Sequence, residues 1–186
     1  MKKFLLVIIA LFLLCTNKAI AVDFDKYSDD GKVLAALEIL ESIGASDVFS
    51  RLDRNSTKII FYDLTLMSFS YAKHYAVAST DDCGNNYILI NSKFRSSPSE
   101  AIAALIAHES VHQLPQATMD EEVRATTTEA QTWIKLRSRV SANACDDLVK
   151  RQNKLAALYE ASTPGQNLIR ESIANNSFYQ RQLAMR

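Results

Sequence analysis

Glycine and proline are scarce in this chain, with four and three among 186 residues. So few chain breakers exclude a collagen-like or linker-rich sequence, and no Pro/Gly-rich seam divides the chain into domains. Net charge is missing as well: 21 Lys and Arg stand against 21 Asp and Glu. That balance argues against a nucleic-acid partner and against a polybasic membrane binder. Internal repeats and low-complexity tracts are absent, which argues against solenoid arrays and extended disorder. The acidic pairs Asp29-Asp30 and Asp81-Asp82 lack the alternating oxygen ligands of a calcium loop and read as solvated loops. The basic stretches Lys150-Arg151 and Arg181 to Arg186 read as wet helix faces. What remains is ordinary globular composition, 48% apolar and 23% charged, in a chain the size of one domain with room for a real core.

The apolar run from Phe4 to Leu14 is well short of the roughly 20 residues that a membrane-spanning helix needs. Lys2 and Lys3 precede it and Ala19-Ile20-Ala21 follows, the order of a secretory signal peptide cleaved after Ala21. Cys15 ends the run, but Phe12-Leu13-Leu14 before it lack the small side chains of a lipoprotein site. Residues 1–21 are therefore set aside as an export signal. Residues 22–186 are expected to form a single exported domain, periplasmic or secreted, with no stable membrane anchor. Cleavage leaves 18 basic and 21 acidic groups and two cysteines, Cys83 and Cys145. In an oxidising compartment such a pair reads as one disulfide, with two buried free thiols as the alternative. Closing a loop of 62 residues would stabilise by about 4 kcal/mol on the chain-entropy model.

Apolar positions at Val33, Leu34, Leu37, Leu40 and Ile43 predict a helix over 32–43, stopped by Gly44. Residues 58–69 are rich in β-branched and aromatic types and predict a strand; Tyr75–Ser79 and Tyr87–Asn91 predict two more. The polar stretch between the last two marks a hairpin or a near neighbour of one. From Ser97 onward the pattern is helical. Ser97-Pro98-Ser99-Glu100 forms a capping box for a helix to about Leu114, where Pro115 stops it. Thr118-Met119-Asp120-Glu121 opens a second helix, to about Ala142, and two more follow near 147–162 and 166–184, separated by Pro164-Gly165. The expected class is α+β, a small N-terminal sheet of about three strands packed on a mostly helical C-terminal half.

Two of the three histidines of the whole protein fall in His108-Glu109-Ser110-Val111-His112. This is H-E-x-x-H on a helix, and residues four apart stack one turn above each other, so both imidazoles can reach one ion. Glu109 is then directed beside the metal, where it can take a proton from a bound water. The alanine- and isoleucine-rich surroundings predict a helix apolar around its circumference, hence packed inside the domain. Burying two imidazoles and a carboxyl there without partners would be costly, and a cation in a water-filled cleft relieves that cost.

A catalytic zinc needs a third protein ligand and an open position. His74 reads as an ordinary loop or strand-end residue. Glu121, Glu122 and Glu129 lie on the next helix. A short turn centred near Gln116 makes the two helices antiparallel neighbours, which places Glu122 opposite the middle of the motif and Glu129 roughly 10 Å further along. Glu122 shares a face with Ala125, Trp133, Leu136 and Val140, whereas Glu121 points about 100° away from it. Glu122 is the first choice for third ligand and Glu129 the second. Glu129 alternatively serves as an acceptor supporting a ligand histidine.

H-E-x-x-H followed by a helix carrying Glu122-x-x-Ala125 resembles the gluzincin metallopeptidases, the thermolysin-like branch of the zincins, in a minimal form. The likeness covers residues 87–133. Pro115 and Thr118 stand where a metzincin has glycine and a third histidine, so that branch is excluded. The ten-residue step from His112 to Glu122 is short for the family. The resemblance implies a zincin-like fold, a Zn2+ cofactor, a peptide or protein substrate, and a cleft bordered by an edge strand, here Tyr87–Asn91. For the oxyanion-stabilising group Tyr71, Tyr75, Tyr159 and Tyr179 all stand open. The expected function is an exported zinc peptidase in which zinc is held by His108, His112 and Glu122 and Glu109 shuttles the proton. The alternative is a zincin-like exported module that binds zinc structurally, or binds a partner, without hydrolysis.

Overall fold

The computed structural model describes residues 22–112, 118–141, 145–161, 166–176 and 179. The export signal, the turn at Gln116 with its Pro115 stop, and the Pro164-Gly165 break lie outside these residues. Among the described residues the chain is α+β: a three-stranded mixed sheet from the first half and helices that dominate the second.

Helix α1 (Gly31–Ser42) starts where the Asp30 carboxylate accepts from the backbone N–H of Lys32 and Val33 at 2.9 and 3.4 Å. It is followed by Gly44, whose φ of +71° is the left-handed conformation that glycine supplies at a helix end. Helix α2 (Ser46–Arg54) was not anticipated. It is only nine residues long, and Val48, Phe49 and Leu52 are the apolar side chains it buries, too few for a clear period. Strand β1 is Lys58–Tyr62, much shorter than the expected 58–69. Its end has a local cause: the Asp63 carboxylate accepts from the Thr65 N–H at 3.0 Å and from its hydroxyl at 2.6 Å. These bonds turn the chain into a 3-10 segment at Leu64–Leu66, in competition with the strand ladder.

Strands β2 (Ala76–Thr80) and β3 (Asn86–Asn91) form the expected hairpin, antiparallel with Ala78 opposite Ile88. Its turn is organised by Asp81, which accepts from the N–H groups of Cys83 and Asn85, and by Gly84 at φ +83°. The strand order is β1-β3-β2, with β1 parallel to β3. Tyr87–Asn91 is therefore central, contrary to the expectation that it borders the cleft; β2 is an edge. The reason is that β1 takes the second side of β3, whose Ile88, Leu89, Ile90 and Asn91 are all buried.

Helix α3 (Ser99–Glu109) is the spine of the molecule, buried without interruption from Ala101 to Glu109. It is not started by the expected capping box. Ser97 instead donates its hydroxyl to Asp146 at 2.7 Å, and Pro98 stands at the cap position. It also ends short of Leu114: Val111 and His112 donate to the carbonyls of His108 and Glu109, three residues back, which tightens the last turn. Helix α4 (Met119–Leu136) does have its cap, the Thr118 hydroxyl accepting from the Glu121 N–H at 3.1 Å. Helix α5 (Asp147–Glu160) is capped by Asp146; α6 is Gln166–Ala174, and of the rest of the expected 166–184 only Asn175, Asn176 and Tyr179 are among the described residues. A continuous core joins α1, α2, the sheet and α3 to Trp133, Leu136, Leu148, Val149 and Ala156 of α4 and α5.

Cys83 and Cys145 are free and exposed, so the expected disulfide is not formed. Their places explain it. Cys83 lies in the turn that enters β3, whereas Cys145 adjoins Asp146, which is bonded to Ser97 beyond the other end of that strand. A disulfide needs Cα atoms within about 7 Å, and a six-residue strand spans roughly 20 Å.

Candidate metal centre

Helices α3 and α4 pack side by side, and their facing residues meet at the end of α3. His108 and His112 come within 3.2 Å of each other through their Nε2 atoms. Glu122, from the first turn of α4, brings Oε1 to 3.7 Å from His112 Nε2. One ligand atom from each of His108, His112 and Glu122 lies within 4.8 Å of the others, a group that could hold a metal ion. Glu122 is thus the first-choice carboxylate that converges on the imidazoles. The second choice, Glu129, sits behind His108, its Oε2 3.0 Å from His108 Nδ1. It occupies the supporting position rather than a ligand's.

The donor set fits a divalent ion. Glu129 Oε2, 3.0 Å away, is the acceptor facing His108 Nδ1, which leaves Nε2 as the nitrogen toward the other ligands. Burial, reinforced by the neighbouring His108, lowers the His112 pKa to about 3, so His112 also offers a lone pair. Two nitrogens each 2.0–2.1 Å from a tetrahedral ion are roughly 3.3 Å apart, close to the separation found. Glu122 Oε2 is buried without a hydrogen-bond partner, the kind of orphaned acceptor that a cation satisfies.

Glu109 is buried beside this group, and its Oε2 accepts from the Ala78 N–H of β2 at 3.1 Å. The edge strand therefore turns a backbone donor away from β3 and onto the motif glutamate. Burial pushes the Glu109 carboxyl up to about 7, with the neighbouring His108 opposing the shift. Burial likewise raises Glu122. Glu129 behaves oppositely: burial opposes its charge, but Arg151 and His108 overcome this and hold it near 2. Burial also opposes protonation of His108, yet the Glu129 contact prevails and its pKa is raised.

Three residues near the site differ from what the sequence pattern predicts. Glu121 was expected to point away, but it is buried with Oε1 3.9 Å from His112 Nδ1; the start of α4 meets α3 closely enough to cover both neighbouring carboxyls. Arg151 was assigned to a wet face, but its guanidinium touches Glu129 Oε1 and lies 4.7 Å above the Tyr75 ring. Lys150, next to it, is exposed as expected. Gln152 is fully buried and donates to the Ala101 carbonyl at 2.7 Å and to Glu129 Oε1 at 3.4 Å. A signal existed for both: Leu148, Arg151, Gln152, Leu155 and Ala156 recur at helical spacing. His74 is the half-buried end of the 3-10 segment Phe69–Lys73, its ring 4.8 Å from Tyr71 and no part of the ligand group.

Of the four candidate tyrosines, Tyr71 lies against His74, Tyr159 accepts from Gln131, and Tyr75 is stacked on Phe94 beneath Arg151. Tyr179 is the one among the site's charges. Burial and the charge of Glu122 raise its phenol, so it stays a neutral donor.

No protein-family model, curated protein or solved structure matches the chain. The site geometry alone carries the functional argument.

Proposed function

We propose that this protein is an exported zinc-dependent peptidase. The observation that carries the reading is the convergence of His108, His112 and Glu122 on one buried point, with Glu109 alongside and the edge strand β2 bonded to it through Ala78. His108, His112 and Glu122 would hold the ion. A divalent zinc there supplies Lewis acidity, acidifying a water and polarising a peptide carbonyl. Glu109 takes the proton from the attacking water and delivers it to the departing amine. Tyr179, whose phenol burial and the charge of Glu122 keep protonated, is the candidate donor to the developing oxyanion. An extended peptide would add along the outer edge of β2 beside the Ala78–Glu109 contact, where main-chain groups bind almost any sequence. The residues expected to be exported, 22–186, carry a small acidic excess, which gives no support to a nucleic-acid partner. No helix among the described residues is long and apolar enough to cross a membrane.

Metal content and cleavage of an unbiased peptide library, for wild type and Glu109→Gln side by side, test the reading. Both proteins are expected to hold about one zinc, and only the wild type to cleave. Zinc-dependent cleavage that persists in Glu109→Gln would end the assignment. A second reading, a zinc-binding exported module without hydrolysis, is favoured by how deeply His108 and Glu122 are buried. Bound zinc with no cleavage by the wild type would select it.

A further inference from the structure

We propose that Arg151 is a positioning residue for this centre, holding Glu129 in the orientation that presents His108 to the ion. The assignment rests on the metal-dependent reading above. Arg151 projects from α5 and touches one oxygen of Glu129, Oε1. Its guanidinium face lies 4.7 Å from the Tyr75 ring, which is itself stacked on Phe94 at 4.9 Å. A planar fork held between a fixed ring and a carboxylate has little rotational freedom. Gln152 adds a donor to the same oxygen at 3.4 Å while anchored on the Ala101 carbonyl at 2.7 Å. Helix α5 therefore occupies Oε1 through two consecutive residues, and Oε2 is left 3.0 Å from His108 Nδ1.

This division of labour has a chemical consequence. A carboxylate gripped at one oxygen aims the other, and an oxygen set against Nδ1 orients the His108 ring so that Nε2 faces His112 and the ion. Glu129 has no exposed surface, so water cannot replace a lost partner. A merely stabilising role explains the pair less well. Burying an arginine and a glutamate together is seldom better for stability than packing apolar side chains in their place.

Metal-free protein, prepared with a chelator, is titrated with zinc against a chromophoric competitor for wild type, Arg151→Met, Arg151→Lys, Glu129→Gln and the Arg151→Met/Glu129→Gln double variant. Thermal melts of the metal-free forms run alongside. Arg151→Met is expected to weaken zinc binding by roughly ten- to a hundredfold, as losing a supporting contact does. Glu129→Gln should do the same. The double variant should be little weaker than either single, since both act through one contact. Zinc affinity of Arg151→Met within about threefold of wild type overturns the assignment, and so do losses that multiply in the double variant. If Arg151→Met does not fold, Arg151→Lys decides: it keeps the charge without the fork, and an unchanged zinc affinity counts against the proposal. Failure of the wild type to bind zinc sinks the metal-dependent reading itself. Wild-type binding with unaffected Arg151 variants overturns only the role of Arg151.

Discussion

Glu109 carries opposing demands in one carboxyl. Its burial lifts the pKa to about 7, useful for proton transfer and harmful to stability. An unfolded glutamate titrates near 4.3, so between that value and about 7 the folded chain holds a proton that the unfolded chain has released. Stability therefore falls as pH rises through this window and levels off above it. In the metal-free protein Glu109→Gln should remove this slope. The variant is expected to match the wild type near pH 4.5 and to exceed it by about 2–3 kcal/mol at pH 8 in urea denaturation. A variant no more stable at pH 8 would mean that Glu109 is better solvated than its burial implies. On the proposed peptidase reading, the substitution that removes activity would then strengthen the fold, the trade-off expected where a site is strained for function.

At the scale of the element, the start of α4 is the point at which local chemistry sets site geometry. Thr118 accepts from the Glu121 N–H, and the same first turn carries Glu122. Loss of such a cap costs about 1 kcal/mol, which corresponds to roughly 2–4 °C in Tm for a domain of this size. Thr118→Ala should show that fall and should also weaken zinc binding, because the frayed turn carries Glu122, the proposed third ligand. A lowered Tm with unchanged zinc affinity would separate the cap from the site. Elements long enough to show a period were legible from sequence: α1, α3, α4 and α5 start close to the expected positions, although α3 ends short of Leu114 and α4 ends at Leu136 instead of near Ala142. Those governed by single side-chain bonds were not. β1 ends where the Asp63 carboxylate accepts from Thr65, and Ser97 serves Asp146 instead of its own helix.

For the whole molecule, stability is a matter of packing alone if the two cysteines stay unpaired. The core runs unbroken from α1 through the sheet to α5, and Cys83 and Cys145 are separated by the length of β3. A reductant should leave Tm unchanged to within about 1 °C, whereas a disulfide contributing about 4 kcal/mol would be lost with a fall on the order of 10 °C. A large reductant-dependent shift would show the cysteines bonded in solution.

Sequence alone determined the α+β class, the buried character of α3 and the pairing of His108 with His112. These depend on residue type and on helical period, which operate within a few positions of one another. It also reached Glu122, because a short connection between helices leaves few registers open. Only the tertiary structure decided that β2 rather than β3 forms the edge, that Glu121 turns inward, and that Arg151 and Gln152 grip Glu129. These outcomes come from segments far apart in the chain: a strand's place in a sheet depends on which other strand takes its second side, and a charged residue's burial depends on the partner waiting there. No local pattern encodes either one.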